Sequence, residues 1–321
     1  MLLADADQVS PPVQLHQLLG SWQLDSVFGL LAFLVQIAAA AWYIAAVVRL
    51  RRRGRRWSAW RTTAFLAGVV ILDIAVVSGL ASYDDQVFVV HVVQHLVLMM
   101  VAPPLLALGA PITLAIQAAG RPVQGRIVRF LHYHPLQVLT MPVVAAALYY
   151  GSMYVVFLTS FYPFSLRHQL VHDLSHAVMF SLGCLFWWPM IAVDQLPHRP
   201  SFQVRIIAMF VGMPIEVFLG VVLLNFGHPI APQHTLSDTQ AGGALFWGAS
   251  MLITFAAAMV MLAQWMGQEE RRAARHDRVL SAGELRRREI WEAARAAKMG
   301  TRHADVHHTS PATTVNEETS Q

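Results

Sequence analysis

The sequence is poor in cysteine and in charge. Cys184 is the only cysteine in 321 residues, which excludes an internal disulfide framework and any Cys-x-x-Cys redox or metal motif. Asp, Glu, Lys and Arg together make up 13% of the chain, whereas hydrophobic residues make up 56%, and the mean hydropathy is +0.48. These values exclude a soluble globular protein. A metal ion bound here would need His, Met or carboxylate ligands.

The apolar residues are gathered into seven long runs. Each run exceeds the roughly 20 helical residues that cross a hydrocarbon core, and in that core only a helix satisfies the backbone of a single segment. We therefore predict an all-α polytopic membrane protein, a bundle of about seven transmembrane helices. The runs are Val27–Val48, Trp60–Ala81, Val87–Leu108, Leu136–Thr159, Leu170–Val193, Val204–Asn225 and Ala244–Met266.

Basic residues are distributed unequally between the two sides of these predicted spans. Twenty-two of the 23 Lys and Arg residues fall on one side, and only Arg167 falls on the other. The positive-inside rule predicts an N-terminus outside and a cytoplasmic C-terminus in a bacterial-type plasma membrane, which seven spans satisfy. The formal net charge of +4 and the pI near 9.6 are explained by this asymmetry, so we expect no nucleic-acid partner.

Composition divides the chain into four predicted parts. Residues 1–26 form an extracytoplasmic N-terminal segment, and residues 27–266 form the seven-span domain. Residues 267–299 interleave Glu, Arg and Ala, which predicts a charged cytoplasmic helix. Residues 300–321 are rich in Ser, Thr, Pro and Glu, which predicts a disordered tail.

Two predicted spans begin with His residues at helical spacing. His91 and His95 open the third span, and His168, His172 and His176 open the fifth. Residues four apart are separated by about 6 Å along a helix and share one face. Both spans are predicted to run inward, so both His stripes enter from the outer surface at similar depth. Other candidate ligands near this end are Met99, Met179, His228, His234, Asp238 and Gln240.

The His stripes have two readings. Polar side chains that face lipid are costly, so these imidazoles are expected to face the bundle interior, where they bond to other helices or bind a metal or haem. Imidazole suits copper, zinc and iron, and nearby thioethers favour Cu(I). Asp73 and Glu216 are intramembrane carboxylates that are either neutral or paired with His. In the third span, Pro103 and Pro104 predict a kink or a break.

The ordered motifs resemble a known family. They are His91-x-x-x-His95 with its continuation to Pro111, His172-Asp-Leu-x-His176 with Leu185-Phe-Trp-Trp-Pro189, Asp194-Gln-Leu-Pro197, Met213-Pro214 with Gly220, and Asp238-x-Gln240-x-Gly242-Gly243 with Trp247. Together these motifs resemble the seven-span CtaG-type cytochrome c oxidase assembly proteins. The resemblance extends from Val27 to Met266. It departs at Glu216, where many members have His.

The resemblance implies a non-enzymatic factor for the maturation of a haem–copper oxidase, acting through delivery of copper on the outer face. Its expected partners are terminal oxidase subunits, an extracytoplasmic copper donor and membrane lipid. His91, His95, His172 and His176 are the implied metal ligands. The residues expected to support them are His168, His228, Asp238, Gln240, Met99 and Glu216.

Two alternatives remain open at this point. A membrane cytochrome would use one His from each stripe as axial haem ligands. A seven-span zinc-dependent hydrolase would use three of these His, with Asp73 or Asp173 orienting a water molecule. A copper permease is disfavoured, because the polar groups thin out below Met99 and Met179.

Overall fold

A computed structural model describes Trp22, residues 26–194 and residues 200–307, and this part of the chain is helical and contains no β-strand. The α-helices are α1 Val27–Arg52, α2 Ala59–Val77, α3 Leu80–Tyr83, α4 Phe88–Leu96, α5 Ala102–Leu108, α6 Pro111–Ala118, α7 Arg121–Leu131, α8 His134–Leu139, α9 Pro142–Leu158, α10 Phe161–Ser165, α11 Gln169–Ile191, α12 Phe202–Leu224 and α13 Leu236–His307. A π-helical turn, Val97–Val101, joins α4 to α5.

Within the described residues, six helical stretches are long and apolar enough to cross a membrane. They are α1, α2, the stretch Phe88–Ala118, α11, α12 and α13. The helix α9 is apolar but has 17 residues, fewer than the other six. The predicted run Leu136–Thr159 is divided, because Met141 is extended (φ −60°, ψ 131°) ahead of Pro142, which starts α9.

The double proline does not end the third apolar stretch. Pro103 and Pro104 occupy the first turn of α5, where a missing backbone N–H is tolerated. The distortion lies just before them, in the π-helical turn, where the N–H of Ala102 donates to the carbonyl of Val97. The helix breaks at Ala110 instead, which is left-handed with φ 51° and ψ 52°.

The main core packs α11 against the π-helical turn. A Cβ atom on Gly183 would lie 2.9 Å from the carbonyl oxygen of Met99 and 2.9 Å from Cγ of Pro103, so only glycine permits this approach. His176 lies seven residues before Gly183, on the same face of α11. The close crossing therefore turns His176 toward α4. Aromatic residues including Phe157 and Phe186 fill the remaining core.

The described residues up to Met261 form one compact unit, and those from Leu262 onward form a second. The described part of the second unit is the remainder of α13. As far as Arg295, most of its described side chains are exposed, and an ion pair of 2.7 Å joins Arg272 and Glu269. The predicted charged helix 267–299 lies within this helix. Of the predicted N-terminal segment, only Trp22 and Ser26 are described, and residues 308–321 of the predicted tail lie outside the described residues.

Candidate metal centre

Four buried side chains meet at the N-terminal ends of α4 and α11. They are His91 of α4, His172 and His176 of α11, and Asp84, which follows α3. One ligand atom from each residue lies within 4.8 Å of those of the other three. Three imidazoles and a carboxylate form a donor set typical of zinc and copper sites.

Two distances within this group are close to those of a metal site. Oδ2 of Asp84 lies 3.8 Å from Nε2 of His172 and 3.7 Å from Nε2 of His176. Metal–ligand bonds of about 2.0–2.2 Å in a tetrahedron place the donor atoms about 3.3–3.6 Å apart. The Asp84 contacts are thus near this separation, and the wider pairs would have to close by about 1 Å.

Six imidazole nitrogens of the four His residues lack hydrogen-bond partners among the described residues. Both ring nitrogens of His91 and His95, and Nε2 of His172 and His176, are inaccessible and unpartnered among the described residues. A buried polar atom without a partner costs about 1–3 kcal/mol, so such a concentration requires an explanation. A cation bound between these nitrogens would supply the missing partner.

His95 lies one helical turn further into the bundle, outside the group of four. Its ring centroid is 4.2 Å from that of His91 and 5.6 Å from that of His176. The Phe157 ring packs against it at 5.3 Å. The four His residues of the two sequence pairs are therefore adjacent. The compact ligand group, however, contains Asp84 and not His95.

Asp238 determines where α4 begins. Its Oδ2 accepts a hydrogen bond of 2.6 Å from the N–H of Phe88, and its Oδ1 accepts one of 3.2 Å from Val89. A carboxylate at a helix N-terminus satisfies free N–H groups and stabilises the helix dipole. His91 follows in this first turn, so Asp238 supports the site by positioning α4.

A second set of contacts braces His91 from the side. The Tyr162 ring lies 4.5 Å from the His91 ring, and the Tyr162 hydroxyl lies 2.8 Å from Nε2 of His234. Nδ1 of His234 is in turn 3.6 Å from Oδ2 of Asp238. Burial lowers the pKa of His234, and the Asp238 charge opposes this shift.

Asp84 is the one acid in the group of four, and its side chain is buried. Burial, reinforced by the charge of Asp85, raises the pKa of Asp84 well above its ordinary range. A cation beside the carboxyl group favours the charged form and opposes this shift. The local electrostatics therefore favour a positive ligand.

The other predicted support residues lie outside the group of four. His168 and His228 are exposed, and their Nδ1 atoms lie 3.0 Å from the carbonyl oxygens of Phe164 and Pro229. Gln240 donates to the carbonyl of Phe226 at 3.1 Å.

Met99 is buried in the π-helical turn. Glu216, on α12, accepts a 3.0 Å hydrogen bond from Thr254. Neither residue is in the compact ligand group. The two acids of the zinc alternative are also elsewhere: Asp173 accepts a hydrogen bond of 2.9 Å from Gln169, and Asp73 lies within α2.

Asp84 is the ligand candidate that sequence reasoning missed. It lies between two predicted spans, where an acidic residue is ordinary and carries no helical periodicity. The available signal was the Asp84-Asp85 pair, which precedes the His-bearing helix by only a few residues at the same end of the bundle.

The fold and the site define a class of protein. The helices are long, apolar and exposed on their outer faces, as at Leu31 and Val35, which is typical of a multi-pass membrane protein with a buried His/Asp cluster. The sequence model of the cytochrome c oxidase caa3 assembly factor family (Caa3_CtaG) matches residues 41–268. This match covers more than two thirds of the chain, and the chain belongs to that family. Membership favours a non-catalytic role.

Three mycobacterial proteins, each described as uncharacterized, are similar to this chain. The Mycobacterium leprae protein is 31% identical over 80% of this chain and 41% of its own length. The Mycobacterium bovis and Mycobacterium tuberculosis proteins are each 29% identical over 84% of this chain and 43% of their own length. The chain thus spans about two fifths of these relatives. No solved structure matches it.

Proposed function

We propose that this protein holds a copper ion for the assembly of a haem–copper cytochrome c oxidase, with Asp84, His91, His172 and His176 as its ligands. The observation that carries the proposal is the convergence of four buried donor groups, within 4.8 Å of one another, from three segments of the chain. Family membership supports the role in oxidase assembly. The unpartnered imidazole nitrogens support a cation as the missing partner.

His95 extends this site inward by one turn. Because its ring lies 4.2 Å from that of His91, copper has an alternative ligand within reach when one of the outer ligands is released. Exchange between overlapping ligand sets allows an ion to be handed on without passing through water. In this proposal an extracytoplasmic donor supplies copper, and an apo-oxidase subunit receives it.

The proposal includes a seven-span topology in a bacterial plasma membrane, with the N-terminus outside and the C-terminus in the cytoplasm. The 17 residues of α9 lie at the lower end of the range that crosses a bilayer, about 25 Å in length. With α9 counted as a span, Arg167 alone among the basic residues lies outside. The ligand group then faces the outer side, where a copper donor would approach.

A zinc-dependent membrane hydrolase is the second candidate, favoured by Asp84. A carboxylate beside three imidazoles suits zinc as well as copper, and the thioether of Met99 is not among the compact ligands. This function predicts hydrolysis of a lipid or amide that a chelator abolishes. Haem binding is disfavoured, because aromatic rings already pack around His91: the centroids of Phe157 and Tyr162 lie 6.2 and 4.5 Å from that of its imidazole.

The test measures metal and haem in protein purified in detergent under reducing conditions and supplied with Cu(I) or Zn²⁺. We compare the wild type with the His95→Ala/His176→Ala double variant and with a control, His168→Ala/His228→Ala, which removes two exposed imidazoles. About one copper per chain, lost in the first variant and retained in the control, supports the proposal.

Three results would oppose copper holding. A wild type that takes up no Cu(I) is better explained as a scaffold for oxidase subunits. Preferential zinc binding with chelator-sensitive hydrolysis supports the second candidate. A haem absorption band that disappears in the double variant identifies a cytochrome.

A further inference from the structure

A groove remote from the metal ligands lies between α1, α6 and α7. Its volume is about 260 Å³. The walls are mostly small side chains, including Ala45 of α1 and Ala118 of α6, while Val123 and Ile127 of α7 complete the lining. Because the side chains that line the groove are small, they leave this volume open, and its shape suits a narrow apolar chain.

Polarity changes along this groove in one direction. Trp42, Ala45 and Arg49 lie along the same side of α1, spaced over about 10 Å. Trp42 is the deepest in the apolar helix, whereas Arg49 lies in its last turn, beside Arg51 and Arg52. The groove thus presents an apolar inner part and a cationic mouth, which is the polarity of an amphiphile with an anionic headgroup.

The mouth of the groove has no compensating acid in the adjoining sequence. Residues 49–61 and 115–131 contain ten Arg and no Asp or Glu. Arg49 is exposed, and no carboxylate of the described residues lies within ion-pair distance of it. Arg53 donates to the carbonyl of Ala118 at 3.2 Å, which ties α1 to α6 and holds this charged end beside the groove.

The helix α7 is suited to a membrane surface. None of its residues is buried, and its apolar Val123, Val128 and Phe130 are 43, 41 and 66% exposed. Its arginines are Arg121, Arg126 and Arg129. A basic amphipathic helix of this kind lies at the headgroup level of a bilayer. At the headgroup level, α7 would lie beside the phosphate of a lipid whose acyl chain occupies the groove.

We infer that the groove between α1, α6 and α7 is a binding site for an anionic phospholipid, with an acyl chain along Trp42 and Ala45 and the phosphate at Arg49. Charge complementarity selects the headgroup, since basic pockets between transmembrane helices bind anionic lipid headgroups. The inference does not depend on the identity of the metal or on oxidase assembly.

The test titrates the delipidated full chain in a nonionic detergent with phosphatidylglycerol or phosphatidylcholine of identical acyl chains, and native mass spectrometry follows the bound lipid. Arg49→Gln is compared with Arg51→Gln, which removes the same charge from a residue turned about 200° around α1. Ala45→Phe fills the groove, and Ala38→Phe, two turns earlier on the exposed side of α1, is its control. Thermal unfolding confirms that all four variants are folded.

We expect phosphatidylglycerol to bind more tightly than phosphatidylcholine. Arg49→Gln should weaken phosphatidylglycerol binding about fivefold, and Arg51→Gln much less. Ala45→Phe should reduce binding of both lipids, while Ala38→Phe should not. Equal losses in Arg49→Gln and Arg51→Gln would overturn the site in favour of diffuse surface charge. Equal affinity for the two lipids, or an Ala45→Phe variant that binds normally, would overturn it as well.

Discussion

The Asp238 carboxylate accepts a hydrogen bond of 2.6 Å from the backbone N–H of Phe88, joining two positions 150 residues apart. This bond connects the first turn of α13 to the first turn of α4, which carries His91. The carboxylate therefore positions His91, a candidate metal ligand, through the helix that it caps. Its effect on metal binding is expected to be indirect but measurable.

Replacing Asp238 should reduce both stability and metal retention. Asp238→Ala leaves the N–H groups of Phe88 and Val89 without their acceptor, and loss of such a cap costs about 1–2 kcal/mol. Asp238→Asn keeps an acceptor and should recover part of the loss. The measurements are the unfolding temperature in detergent and copper affinity, with Ser237→Ala, an exposed neighbour, as control. Unchanged values in Asp238→Ala would exclude a capping role.

Asp84 should matter to the metal far more than its neighbour Asp85. Asp84→Asn removes a charged ligand located 3.7 Å from Nε2 of His176, and we expect copper affinity to fall by roughly 100-fold or more. Asp85→Asn changes an exposed acid and should alter affinity little. Competition with a Cu(I) chelator measures both. If Asp84→Asn binds copper normally, His95 rather than Asp84 completes the site.

Stability should fall as the solution is acidified, partly through His234. The folded-state pKa of His234 is below its ordinary value of 6.5, so the unfolded chain binds the proton more tightly than the folded one. The contribution of His234 is complete above pH 6.5 and is lost as the pH falls below it. Between neutral and mildly acidic pH, the unfolding temperature of His234→Gln should therefore fall less than that of the wild type. His228→Gln, which changes an exposed imidazole, is the control. If the unfolding temperature of His234→Gln depends on pH as that of the wild type and the control does, His234 does not cause the loss of stability.

Gly183 and Gly151 should respond oppositely to alanine. In a helix, Gly→Ala is intrinsically stabilising by up to about 1 kcal/mol, and a Cβ on Gly151 meets nothing within 4 Å. A Cβ on Gly183 would lie 2.9 Å from the carbonyl oxygen of Met99, so Gly183→Ala should destabilise by about 1–3 kcal/mol and weaken copper binding. Unfolding in detergent compares the two. Equal effects would show that α11 does not require this close crossing.

Cysteine labelling tests whether α9 spans the membrane. Cys184→Ser removes the sole cysteine, and Arg126→Cys or Arg167→Cys then places one thiol on either side of α9. With seven spans, a membrane-impermeant maleimide should label the Arg167→Cys variant in intact cells, and the Arg126→Cys variant only after permeabilisation. Identical accessibility of the two would show that α9 does not cross.

Part of the candidate metal centre could be predicted from the sequence, because helical periodicity is a local property. The spacing of His91 and His95, and of His172 and His176, predicts one shared face in each pair whatever the rest of the chain does. Apolar composition likewise predicts the helices without reference to their neighbours. The mean composition of the run Leu136–Thr159 does not reveal its division, which follows from the backbone limits that Pro142 imposes on Met141.

The tertiary structure decided which groups complete the site. Asp84 lies in a connection without periodicity, and it reaches the imidazoles only because the end of α3 packs beside α4. Asp238 was predicted as a supporting residue, and the tertiary structure shows that its carboxylate caps α4, because the start of α13 lies at the start of α4. Sequence alone determined the composition, the helices and the His stripes of this protein. The neighbours of each stripe depend on contacts such as Gly183 against Met99, which form between distant residues and leave no local pattern.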